Sequence, residues 1–134
     1  MAKEGGFPFA VAVDDAAAAP QTISNDITSL SYGTPRGVQD VTGVDKSAIE
    51  RLLLLADMTV TLNGVFNDAS NLSHSVFRTV PSTSVQRTTT LTISGQVLAA
   101  ELLYSDYAMT RGADGSMTWT APGSLANGAV PTWA

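Results

Sequence analysis

A chain of 134 residues in which 44% are hydrophobic and 14% charged has material for one domain with a real core and too little for two. Seven Lys and Arg against twelve Asp and Glu leave a formal charge of -5, which excludes the basic footprint of a protein that grips phosphates. The absence of cysteine excludes disulfides, thiolate metal sites and cysteine nucleophiles.

Charged residues stand well below the roughly 25% of an average soluble domain, and Thr, Ser, Ala and Gly fill the gap. Much of the surface is therefore expected to face other protein. The opening Met-Ala-Lys-Glu-Gly-Gly holds no signal-peptide core, and no apolar run approaches the about 20 residues of a membrane span, so a cytoplasmic origin is expected.

In chain order, residues 1–20 read as an arm and linker and residues 21–134 as a single β-rich domain. Phe7 to Val13 is apolar and suits an edge strand or an arm that docks on a neighbour, and Asp14 to Pro20 reads as the linker. From Ile23 to Tyr32 the chain is β-compatible. Ile23 and Ile27 fall on one side, Leu30 and Tyr32 on the other, and this change of face predicts a bend or bulge near Thr28. Gly33-Thr34-Pro35-Arg36-Gly37 is a turn or the tip of a long hairpin, with Val38 to Thr42 returning as a strand. With Arg36 as its one cation and no Gly-Lys-Ser/Thr ending, it is no phosphate cradle.

The strongest pattern runs from Gln39 to Asn67 and reads as strand, short helix, strand. Asp45 is placed to cap a helix from Lys46 to about Ala56, because a carboxylate there accepts from first-turn amides and complements the helix dipole. Ile49, Leu52, Leu53 and Ala56 share one helical face, the stripe that packs on a sheet. Leu54 falls outside it, among Ser47, Glu50 and Arg51, and is a candidate contact for a partner. After Asp57 the period changes to two. Met58, Val60 and Leu62 alternate with Thr59, Thr61 and Asn63, as in a half-buried strand.

Asn67 to Pro81 is a connection with one helical turn around Ser73 to Arg78. Thr88 to Ser94 alternates strictly and predicts a strand ended by Gly95. Val97 to Met109 has mixed signals. Ala99 to Leu102 favour helix, Tyr104, Tyr107 and the flanking hairpin signals favour strand, and strand is the reading adopted. Ala113-Asp114-Gly115-Ser116 supplies a tight turn and Met117 to Ala121 the returning strand. Trp133 closes a tail rich in Gly and Pro.

The search for chemistry is mostly negative. His74 lies between Ser73 and Ser75 with Asp68 upstream, but there is no Gly-x-Ser-x-Gly elbow, and neighbours in sequence do not readily face one another for proton transfer. One His without Cys makes no usual zinc site, and the carboxylates are not spaced as in a calcium loop. Asp40 and Asp45 suit a turn and a cap better than a glycosidase pair. No enzyme activity, metal or cofactor is expected.

A β-rich domain with few charges and no catalytic constellation favours an assembly protein. Asp40-Val41-Thr42-Gly43, Asp45-Lys46-Ser47-Ala48, Glu50-Arg51-Leu52 and the strand from Asp57 to Phe66, ending Leu62-Asn63-Gly64-Val65-Phe66, resemble the tail tube (major tail) protein of long-tailed, non-contractile bacteriophages. Tyr107 to Ser116, followed by Trp119, is similar to the closing hairpin of that family. The resemblance spans residues 22–134 and implies a mainly β subunit, a β-sandwich or barrel with one short helix at about 45–56 on its flank and a long hairpin.

It further implies a virion tail protein, made in the host bacterial cytoplasm, whose hexameric rings form by continuing sheets across subunit borders. The rings stack into the conduit for genome ejection. Its partners would be copies of itself, the tail proteins at the tube ends, and double-stranded DNA passing through without specific binding. The inter-ring hairpin would be Tyr32 to Asp45, around Pro35, Arg36 and Gly37, and the arm would be Phe7 to Val13, including Phe9. Threonines, serines and some of Asp26, Asp40 and Asp106 are the expected lumen lining, where cations would retard sliding DNA. A tail terminator, a head-tail joining protein or the tube of a contractile injection machine shares the need for ring closure. A carbohydrate-binding or adhesion β-domain is disfavoured, because its aromatic platforms would cluster and here the aromatics are spread out.

Overall fold

Alternating runs of apolar and hydroxyl side chains dictate most of the architecture in the computed structural model, which describes residue 3 and residues 5–134. In order the elements are β1 (Phe9–Asp14), β2 (Pro20–Thr22), a 3-10 turn (Ser24–Asp26), β3 (Ile27–Gly33), β4 (Arg36–Asp40) and β5 (Arg51–Ala56). There follow β6 (Thr59–Val65), α1 (Ser73–Phe77), β7 (Arg87–Ile93), β8 (Gln96–Tyr104), β9 (Ala108–Arg111), β10 (Met117–Leu125) and β11 (Thr132–Trp133). Nine strands make one antiparallel sheet in the order β2-β1-β7-β8-β10-β6-β3, with β11 joined to β8 and β9 to β10, while β4 and β5 pair only with each other.

The sheet doubles over on itself. β8 and β10 share a ladder only where Leu102, Leu103 and Tyr104 meet Leu125, Ser124 and Gly123, and this corner separates two packed halves. A Cβ on Gly123 would lie 3.0 Å from Tyr104 Cε1, so the corner needs a glycine under the ring. Val11, Val13, Leu91, Leu98 and Leu102 face inward from one half, and Met58, Val60, Leu62, Trp119 and Ala121 from the other, all buried. The result is a mainly β sandwich whose core is filled by every second residue of its strands.

The predicted strand from Met58 is β6, the strict alternation of Thr88 to Ser94 is β7, and the ambiguous Val97 to Met109 run is β8 and β9. The bend expected near Thr28 is a register shift between Ile27 and Ser29 where β3 pairs with β6. The Asp-Gly turn joins β9 to β10, with Gly112 N–H donating to Ser116 O at 2.8 Å. Trp133 packs against Tyr32 with ring centroids 6.2 Å apart.

Three expectations change. The helix at 45–56 does not form. Residues 51–56 are β5, and the short helix of the fold is α1 instead. β4 lies close upstream and offers its backbone groups to 51–56, which satisfies them without a helix, and no core surface lies beneath Ile49, Leu52 and Leu53 to reward a helical stripe. Asp45 therefore caps nothing helical.

The hairpin also shifts. β4 pairs with β5, so its tip is the loop 41–50, and Pro35, Arg36 and Gly37 sit at its base. Phe9–Asp14 forms a strand, in line with one reading of Phe7 to Val13, but as β1 between β2 and β7 in the main sheet rather than at an edge or as an arm, and residues 15–19 connect β1 to β2. Phe9 packs edge-on against Tyr32 at 6.3 Å. Phe7 precedes the first strand and is 94% exposed.

Candidate functional site

The grooves found among the described residues are open and lined mostly by small and aliphatic side chains, which turns attention to the surfaces. The most unusual of these is the β4–β5 hairpin. It is inserted between β3 and β6, and no strand of the main sheet pairs with it. Cross-strand partners share a face, so Val38 lies with Leu53 and, on the other face, Gln39 with Leu52, while a register shift between Arg36 and Val38 leaves an extra residue in β5 and bulges it at Leu54 and Leu55. Val38, Val44, Ile49 and all four leucines are solvent-exposed, Leu53 at 60% and Leu55 at 91%. A monomer rarely shows so much contiguous aliphatic surface, and a two-stranded ribbon exposed on both faces is marginal alone in water.

Polar bonds hold the ribbon in shape. Arg36 at the base donates from Nε to Leu54 O at 2.9 Å, and Asp57 N–H donates to Pro35 O at 3.1 Å. At the tip, Asp40 Oδ1 accepts from Thr42 Oγ1 at 2.6 Å and Thr42 N–H at 2.9 Å, and Thr42 Oγ1 accepts from Glu50 N–H at 2.8 Å. The bond from the Thr42 hydroxyl, more than that from its amide, holds the Asp40 carboxyl below its ordinary value. Lys46 and Glu50 approach to 3.9 Å. Leu53, Leu54, Leu55 and Ala56 line an open groove with Arg36 and Val130.

The second surface is the outer face of β3, β6 and β10. In register across it lie Ser31, Thr61 and Pro122, then Ser29, Asn63 and Thr120, then Thr59 and Ser124. None of these side chains carries a charge. Thr120 Oγ1 donates to Asn63 Oδ1 at 2.9 Å and Asn63 Nδ2 to Ser29 Oγ at 3.3 Å, so the middle row of the face is bonded laterally across three strands. Beside it, β3 ends the sheet, and among the described residues no strand pairs with its outer edge.

Of the lumen candidates, Asp26 is corrected: it is 1% exposed and cannot line a surface. Its Oδ1 accepts from Asn67 Nδ2 at 2.9 Å and its Oδ2 from Ser73 N–H at 3.0 Å, which ties the start of α1 to the sheet. Asp40 sits in the hairpin, and Asp106 is exposed, accepting from Tyr107 N–H at 2.8 Å. Leu54 is exposed as expected, but its five aliphatic neighbours Val38, Ile49, Leu52, Leu53 and Leu55 are more so. One signal could have found them: four consecutive leucines cannot all face one core at any period.

His74 is structural in its surroundings. Its ring lies 4.9 Å from that of Phe66, and Nδ1 is 3.3 Å from the Tyr107 hydroxyl, against an aromatic group of Phe77, Tyr107 and Trp119. Burial and, less strongly, the Asp26 carboxylate push the Tyr107 hydroxyl up to about 12. Among the described residues no group of three potential ligands could hold a metal ion.

No protein-family model matches this chain, and no curated protein does. Solved structures match over nearly its whole length. One matching chain comes from the tail of an empty GTA particle determined by helical refinement with C6 symmetry, with a TM-score of 0.75, 12% identity and coverage of 98% of this chain and 99% of that one. Another comes from the virion of a native gene transfer agent (GTA) particle, with a TM-score of 0.74, 14% identity and coverage of 98% and 99%. At such identities the likeness is one of fold, and from end to end this chain is built as those tail and virion chains are.

Proposed function

We propose that this protein is a structural tail subunit of a phage-type particle that assembles into hexameric rings stacked as a tail tube. The observation that carries the reading is the exposed β4–β5 hairpin on a fold matched end to end by a chain from a C6-symmetric tail. Its aliphatic faces are covered only in an assembly. The open edge of β3 supports ring closure, because a neighbour that extends the sheet there converts an aggregation hazard into a specific contact. Phe7, Leu54 and the hairpin base at Pro35, Arg36 and Gly37 are further contact residues in this reading.

The charge-free face of β3, β6 and β10 is the wall of the bore. DNA passing it meets uncharged hydroxyls and amides and no cation that would exchange counterions with phosphate. Exposed Asp40 and Asp106 would add repulsion if they reach the lumen. The subunit is a conduit and not a catalyst.

Electron microscopy of the purified protein tests the reading, with tubes of regular cross-striation expected. Particles that stay monomeric at all concentrations, or form closed unstriated bodies, overturn it. A terminator or joining protein would stop at a single ring, and the tube of a contractile machine would need a surrounding sheath, so tube length and the presence of a sheath in virions separate these alternatives.

A further inference from the structure

The hairpin needs an acceptor, and the geometry points to one on a second copy of this chain: we infer that the β4–β5 hairpin docks head-to-tail on the exposed apolar patch Phe66, Met109 and Met117. This rests on the tube reading and adds to it the identity of the receiving surface. The patch is the outward end of the core. Met109 lies opposite Trp119 in the β9–β10 ladder, Met117 two residues before it, and Phe66 two residues after Gly64, which is also opposite Trp119. All three therefore share the face of the buried indole, yet each remains more than a third exposed. Phe66 N–H donates to Met117 O at 3.2 Å, which fixes the two beside one another.

Placement on the strand decides the rest. β6 begins next to the hairpin base, where Asp57 bonds Pro35, and ends at Phe66. Hairpin and patch thus sit at opposite ends of one seven-residue strand, roughly 20 Å apart at the usual rise. A protruding surface at one pole and a complementary one at the other form a heterologous contact, which repeats without closing on the same axis.

The chemistry matches as well. Methionines adapt to a partner's shape, which suits a leucine-rich ribbon. Exposed Arg111 pairs across the ladder with Met117, and the tip from Asp40 to Glu50 carries three carboxylates against Lys46 alone. Of the nearby acids, Asp114 is engaged by Ser116 N–H and Asp106 by Tyr107 N–H.

The cysteine-free chain permits a direct test. Tubes of Leu55→Cys/Met117→Cys, mildly oxidised, should give a ladder of covalent multimers on a non-reducing gel, because every copy carries both ends of the contact. Leu55→Cys/Ser124→Cys places the second thiol at the hairpin's own pole and should give no ladder. Tubes that give no ladder from the first pair, or an equal ladder from the second, overturn the assigned acceptor and leave the tube reading standing. Failure of the unaltered chain to form tubes overturns both. Should the cysteine variants not assemble, hydrogen exchange on the unaltered protein decides: assembly should slow exchange at Phe66 and across residues 108–118, and unchanged exchange there overturns the assignment.

Discussion

Arg87 shows how one side chain ties three elements together. It is 1% exposed, and its guanidinium donates to Asp14 O at 3.1 Å, Val76 O at 2.9 Å and Thr79 Oγ1 at 2.8 Å. The end of β1, the helix α1 and the turn after it are all fastened to β7 through these bonds. Burial pushes its ionisation down, and the Asp15 carboxylate, then Tyr104 and Asp14, pull it back. Arg87→Ala would leave two buried carbonyls without donors and open a cavity, and should cost roughly 3–5 kcal/mol, read as a lower urea midpoint at unchanged slope. Tyrosines at the same end set the alkaline limit. Burial raises both Tyr104 and Tyr107, the latter from 10.0 to about 12, so between about pH 10 and 12 the unfolded chain has released protons that the folded chain still holds. Stability is intact below pH 10 and falls as the pH rises through that window. Thermal melts across it should show a shallower decline in Tyr107→Phe than in the parent.

At the scale of the element, the hairpin separates stability from assembly. Its leucines bury little in the isolated subunit, so Leu53→Ser with Leu55→Ser should shift the melting temperature by only a degree or two, an effect within about 0.5 kcal/mol. The same pair should abolish tube formation in sedimentation. Unimpaired tubes would mean that the exposed ribbon has no role in contacts between copies. Glycine at position 64 works in the opposite sense, through stability: a Cβ there would come within 2.7 Å of Trp119 Cζ2, where the indole crosses β6 to donate from Nε1 to Val65 O. This close crossing anchors the end of the sheet that carries Phe66 and Met117.

The face proposed as the wall of the bore can be tested by charge. Thr61→Lys with Thr120→Lys would place two cations on a face whose native residues carry none, close to Asn63 at the middle of the sheet. In the parent, assembled tubes should show no retention of duplex DNA on a filter at low salt. The double variant should retain it, and retention should weaken as salt rises, because each lysine releases counterions on meeting phosphate. Retention unchanged by the two lysines would mean that this face is covered by neighbouring copies and does not line the bore.

Local period and turn chemistry determined the strands that face the core. Met58, Val60 and Leu62, or Thr89 and Leu91, are spaced so that only a half-buried strand satisfies them, and Asp114-Gly115 fits a tight turn whatever surrounds it. The fold class and the resemblance to a tail tube subunit were also legible there. Tertiary structure alone decided residues 45–56, where an apolar helical stripe and a strand beside β4 were both available. Four leucines that meet no core have no reason to coil, and whether a core lies beneath them is a property of the folded molecule, not of the segment. The same holds for Asp26, whose burial under α1 depends on residues about forty positions away, Asn67 and Ser73, that supply its hydrogen bonds.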